Sequence, residues 1–103
     1  MSEYSWAADG AGAGPRARAA WPAICQALPL GTKITGEVVG RQRFGVFLRI
    51  DEMPDATGLA EITAAPRNAV LPAMGESVSG QVIWHADHNC QVKIKLAAWK
   101  AEA

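Results

Sequence analysis

Two phenylalanines, Phe44 and Phe47, stand three positions apart inside a run that also holds Arg41, Arg43 and Arg49. Rings beside guanidinium groups offer an unpaired nucleotide base a face to stack on, worth about 1–3 kcal/mol per base, and offer its phosphate a cation. Between Gly31 and Arg49 four cations (Lys33, Arg41, Arg43, Arg49) face one anion, Glu37. The chain as a whole is neutral, with 10 Lys and Arg against 10 Asp and Glu. That balance excludes a polybasic grip on nucleic acid by bulk charge, so any polyanion has to meet a local patch. The competing expectations are that Phe47 packs under a loop or under an N-terminal helix, and that the arginines are merely solvated.

A second cluster, His85-x-Asp87-His88-x-Cys90, places four metal-ligand types at one turn. Its spacing matches no standard zinc module, and a turn carries His88 away from the face that His85 and Asp87 share, so a polar turn is the expectation and no metal is assigned. Cys25 and Cys90 are 65 residues apart, which is no disulfide framework and fits a reduced cytoplasmic protein. No nucleophile–base pair, phosphate loop or paired-carboxylate motif is present, so neither catalysis nor a cofactor is expected. No apolar run approaches the ~18–20 residues that span a bilayer, and residues 1–14 carry Glu3 and Asp9 but no Lys or Arg, unlike a secretory leader.

The elements that must position these residues follow from hydrophobic spacing in a chain of 103 residues, half of them hydrophobic, enough for one small core. Residues 1–15 are Gly- and Ala-rich and read as a flexible lead in which only Tyr4 and Trp6 have anything to dock. Residues 16–29 predict a short helix packed by Trp21, Ile24 and Leu28, most secure from Pro22 and stopped by Pro29. The domain proper is residues 30–99, and 100–103 are a tail.

From Lys33 the period is two. A first strand, Lys33 to Arg43, points Ile34 and Val38 inward and Thr35, Glu37, Val39 and Arg41 outward, its glycines suiting a strand bent around a barrel. A second points Val46, Leu48 and Ile50 inward and Phe47 and Arg49 outward. Gly58 to Ile62 is a third, and Thr63 to Met74 is a connection with one helical turn. In a fourth strand Val78, Gly80, Val82 and Trp84 share a face. Asp87-His88-Asn89 is a hairpin turn. A fifth strand points Val92, Ile94 and Leu96 inward and Gln91, Lys93 and Lys95 outward. Five such strands describe an all-β fold, a small barrel rather than a sandwich, with an oligonucleotide/oligosaccharide-binding (OB) barrel as the leading candidate and an SH3-like barrel left open by periodicity alone.

The blocks Gly36-Glu37-Val38-Val39, Phe44-Gly45-Val46-Phe47-Leu48, Gly58-Leu59, Gly75 to Val82, Asp87 and Val92 to Leu96 resemble, in order and spacing, the S-one RNA-binding domain. The resemblance covers about Leu30 to Leu96. It implies a five-stranded OB barrel and single-stranded RNA as ligand, in a family found in translation and RNA turnover. The family's binding face has two aromatics, a His, an Asp and an Arg. The aromatics match Phe44 and Phe47, and the Asp matches Asp87. Glu61 stands at the His position and Gln91 at the Arg position, and both departures remove attraction for phosphate or base.

Residues and resemblance together predict a small, monomeric, cytoplasmic RNA-binding module. Phe44 and Phe47 would stack on bases, and Arg41, Arg43, Arg49, Lys93 and Lys95 would meet phosphates. Single-stranded DNA is a second ligand of the same chemistry, and affinity is expected no better than the non-specific ~10⁻⁴–10⁻⁶ M. The alternative is a barrel that has lost its RNA face and binds a protein partner, with Glu61, Gln91 and Trp21 shaping the surface.

Overall fold

The computed structural model describes residues 15–99. The expected lead with Tyr4 and Trp6, and the tail 100–103, lie outside the described residues, except that Pro15 already opens a helix.

Two short helices precede the barrel, α1 (Pro15–Ala19) and α2 (Trp21–Ala27), where one was expected. Pro22 suits the first turn of α2, where its missing N–H has no intrahelical partner to lose. The Leu28 N–H closes the helix on the Ile24 carbonyl, and Pro29 ends it. Ala17, Ile24 and Leu28 are buried in the barrel's hydrophobic core.

Five strands follow, β1 (Lys33–Gln42), β2 (Gly45–Ile50), β3 (Thr57–Glu61), β4 (Ser77–Ala86) and β5 (Gln91–Leu96), with a 3₁₀ turn at Ile62–Ala64. They close a barrel in the order β1-β2-β3-β5-β4, antiparallel except for the parallel pairing of β3 with β5. The core is filled by Ile34, Val38, Val46, Leu48, Ile50, Val82, Val92, Ile94 and Leu96, as their alternation predicts, and Trp99 joins it. β1 serves two partners: its first half pairs with β4 and its second with β2. The two pairings meet at Gly36, opposite both Ile50 and Val78, where a Cβ would strike the Arg49 carbonyl oxygen; β2 and β3 approach as closely at Gly45, where a Cβ would strike the carbonyl oxygen of Ala60.

Two one-residue irregularities change which side chains face where. One falls between Val38 and Gly40 on β1, the other between Val82 and Trp84 on β4. An extra residue in one strand of a pair inverts the parity beyond it. After the first, Gly40 lies opposite the outward Phe47 and Arg41 opposite the inward Val46. Beyond the second, Trp84 lies opposite the outward Lys93 and His85 opposite the inward Val92. The expected outward position of Arg41 is thus reversed, and Trp84 leaves the face it was expected to share with Val78, Gly80 and Val82.

Candidate nucleic-acid interface

The outward side chains of β2, β3 and β5 form one surface, fixed by register. Phe47 is opposite Leu59, and Leu59 is opposite Lys93. Arg49 lies on the same face next to Phe47, Glu61 follows Leu59, and Gln91 and Lys95 flank Lys93 along β5. Phe44, in the turn before β2, stands edge-on to Phe47 with ring centroids 6.0 Å apart and planes at 89°. The structure therefore brings together Phe44, Phe47, Arg49, Glu61, Gln91, Lys93 and Lys95.

Their states differ from the sequence reading. Phe47 points away from the barrel core, yet only 1% of it is exposed, with buried Gly40 and Leu59 as its cross-strand neighbours. An exposed Phe47 is corrected to a supporting one: it backs Phe44, which is 40% exposed and presents the ring.

Arg41 is not on this surface. Its Nε donates to the Pro72 carbonyl at 3.0 Å and a terminal nitrogen donates to the Leu71 carbonyl at 3.4 Å, so its guanidinium holds the β3–β4 connection. Arg43 is exposed at the turn.

Arg49 donates to Glu37 Oε1 across the β1–β2 pair at 2.6 Å. Both side chains are well exposed, so the pair is worth only about 0–1 kcal/mol and yields readily to a competing anion. Lys93 Nζ sits 3.2 Å from Glu61 Oε1 and donates to Gln91 Oε1, also at 3.2 Å. Glu61 and Gln91, which stand where the resemblance implies a His and an Arg, are thus joined through Lys93, whose charge Glu61 cancels. Gln91 is 3% exposed, a buried amide rather than a reaching one.

Asp87 is engaged by the helices: its Oδ1 accepts the Trp21 indole N–H at 2.9 Å. His85 meets Trp21 edge-on, and its Nε2 lies 2.6 Å from the Leu28 carbonyl. The turn cluster therefore fastens α2 to the β4–β5 hairpin. Among the described residues no three His, Cys, Asp or Glu side chains gather as metal ligands. Both cysteines are free, and burial, then the Asp87 carboxylate and Cys90, push the Cys25 thiol above its ordinary value.

Sequence reasoning missed Trp84, now outward and 61% exposed. The unbroken apolar triplet Val82-Ile83-Trp84 in an otherwise alternating strand was the available signal. A cleft of about 590 Å³ opens farther along the same side of β4 and β5, lined by Lys33, Thr35, Glu52, Gln81, Lys95 and Trp99 among others.

No protein-family model matches the chain, and no curated protein matches it either. Solved structures do. RNase R from Mycoplasma genitalium superposes with a TM-score of 0.65 at 16% identity, over 78% of this chain and 14% of that one, both as the apo form and in complex with ribose-methylated single-stranded RNA. GSP13 from Bacillus subtilis superposes with a TM-score of 0.58 at 23% identity, covering 74% of this chain and 61% of its own. A chain of the a/eIF2alpha–aDim2p–rRNA complex from Pyrococcus horikoshii gives 0.55 at 22%, over 65% and 43%. The present chain thus spans about a seventh of RNase R and under two thirds of GSP13. At these identities the likeness is one of fold, and that fold is a closed five-stranded barrel of the OB kind.

Proposed function

We propose that this chain is a small module that binds single-stranded RNA weakly and with little sequence preference. The observation that carries the reading is the outward face of β2, β3 and β5, where the exposed Phe44 ring, braced by Phe47, stands with Arg49, Lys93 and Lys95, and Arg43 is exposed in the adjoining turn. A ring that stacks on any base, with cations that meet any phosphate, gives affinity without sequence readout. RNase R, part of which superposes on this barrel, is in complex with ribose-methylated single-stranded RNA in one structure, and a chain of a complex that contains rRNA superposes on it too. Single-stranded DNA offers the same chemistry. The module acts by binding, without chemistry of its own, as a monomer in a reducing cytoplasm.

The second reading, a protein-interaction module, is favoured by one observation: Glu61 neutralises Lys93 where the face needs a cation. The two readings separate in an amide NMR titration with a single-stranded RNA of about ten nucleotides, the scale of one OB site, at low and physiological salt. Shifts at Phe44, Arg43, Arg49 and Lys93 that fade with salt support the RNA reading. A spectrum unchanged at low salt defeats it and turns attention to protein partners.

A further inference from the structure

We infer that Trp84 is a second base-stacking platform, which carries the bound strand from the Phe44 turn across β5 and onto the cleft side of β4. The inference rests on the single-stranded RNA reading above and extends the site beyond the positions implied by the resemblance.

Four observations support it. First, the indole is 61% exposed on a strand whose other large apolar residue at that level, Ile83, shares the same irregularity. One-residue bulges re-aim a side chain at the rims of barrels and beside binding sites. Second, Trp84 is not isolated from the candidate interface. Register places it opposite Lys93, Lys93 opposite Leu59, and Leu59 opposite Phe47, one continuous row over four strands. Three inter-strand spacings make that row about 14 Å long, well within the ~4–16 nucleotides an OB barrel tracks.

Third, the charges around it suit a phosphate chain. Lys93, which Glu61 holds at 3.2 Å, is its direct neighbour, and Lys95, with no acidic partner among the described residues, and Gln81 are opposite one another farther along β4 and β5. Lys95 and Gln81 line the 590 Å³ cleft with Lys33, and Glu52 is the acidic residue of that lining. Fourth, the setting is wrong for an apolar protein partner. Apart from Ile83 and the buried Ala86, the outward neighbours of Trp84 along β4 and β5 are Gln81, Gln91, Lys93 and Lys95. A ring set among cations and amides fits a nucleotide, which brings a π-face and a negative charge together.

The test uses the full chain and about ten nucleotides of oligouridylate at low salt, with wild type, Trp84→Phe and Trp84→Ala compared by anisotropy of labelled RNA and by tryptophan emission. Trp84 is exposed, so both variants should melt with the wild type. Loss of one stacked base weakens binding about 5- to 150-fold in Trp84→Ala, while Trp84→Phe retains most of the affinity. The RNA-induced quenching of indole emission should shrink in Trp84→Phe, because the chain's other tryptophans remain. Wild-type binding that Trp84→Ala reproduces within twofold, with quenching unchanged in Trp84→Phe, overturns the inference and leaves the RNA reading standing. Absence of wild-type binding overturns both.

Discussion

Glu61→Gln should tighten RNA binding, although it removes an ion pair. Glu61 Oε1 stands 3.2 Å from Lys93 Nζ. A phosphate oxygen meeting the same ammonium from the other side sits about 2.8 Å from it, and so about 6 Å from the Glu61 carboxylate. Two like charges at that distance repel by about 0.7 kcal/mol in bulk-water dielectric and about 2.8 kcal/mol at an effective value of 20. The Lys93 side chain is 17% exposed and that of Glu61 40%, which places the site between these limits. Screening over a Debye length of about 8 Å lowers the figure further. A repulsion near ~1 kcal/mol remains, equivalent to roughly fivefold in affinity.

Removing it also gives Lys93 a full charge to offer, so one more counterion is displaced on binding. The slope of log K against log salt should then steepen by about 0.7, the single-strand value per phosphate. Anisotropy titrations at three salt concentrations measure both quantities. Asp55→Asn is the control, because it makes the same change in net charge in the exposed loop at the far end of β2 and β3. An affinity and slope identical in Glu61→Gln and Asp55→Asn would refute the reasoning, since bulk charge would then explain any gain and Lys93 would meet no phosphate.

Three further outcomes follow from the same geometry. Phe44→Ala should weaken RNA binding about 5- to 150-fold, the cost of one lost stack, with a melting temperature close to wild type because the ring is half exposed; a large loss of stability would mark Phe44 as structural. Gly45→Ala should destabilise the fold by at least ~2 kcal/mol, since its new Cβ meets the Ala60 carbonyl oxygen, a backbone atom that cannot rotate aside; at about 4–8 °C per kcal/mol for a domain of this size, calorimetry resolves it easily. Glu52 accepts the Thr35 N–H at 3.2 Å and lies 2.9 Å from its hydroxyl, and these bonds, the backbone one foremost, hold its carboxyl below the ordinary value. A folded-state value below the unfolded one means the contribution is present above the unfolded value and disappears as pH falls through the folded one. Wild type should therefore out-melt Glu52→Gln at neutral pH, and the gap should close as pH drops below the ordinary glutamate range.

The strands were legible because a small barrel buries one face of each, and period two records that face directly. Val46, Leu48 and Ile50, or Val92, Ile94 and Leu96, could be assigned inward without knowing their partners. Trp21, Ile24 and Leu28 announced a helix by the same logic, although Pro22 does not merge the two helical turns into one. What failed was local in a different sense. Parity read along β1 and β4 is correct up to Val38 and Val82 and inverted beyond the next residue, because one extra residue changes every face that follows it. Phe47 was misjudged for another reason: its direction was right, but exposure depends on neighbours such as Leu59 that sequence spacing does not supply. The Glu61–Lys93–Gln91 string joins β3 to β5 across a parallel pairing, the contact hardest to infer from a chain read in order.

The two inversions act on the candidate site in opposite directions, and on the proposed reading they set its balance of charge and stacking. One takes Arg41 from the phosphate-facing set and ties it to the Leu71 and Pro72 carbonyls. The other adds an exposed indole in line with Lys93. The face is therefore less basic and more aromatic than its sequence implies. Four cations remain: Arg43 and Lys95, with no acidic partner among the described residues, and Arg49 and Lys93, each held by a glutamate. At about 0.7 per phosphate neutralised, the salt slope should lie between about −1.4, if the paired cations keep their glutamates, and about −2.8, if both exchange them for phosphate. Titration of the wild type with oligouridylate over a fourfold salt range decides between these values. Lys33 in the adjoining cleft extends the limit to about −3.5, and a slope steeper than that would move the site elsewhere on the barrel. A slope inside the range, with affinity that collapses on loss of Phe44, would make stacking the larger contribution and leave charge to guide the strand onto the face.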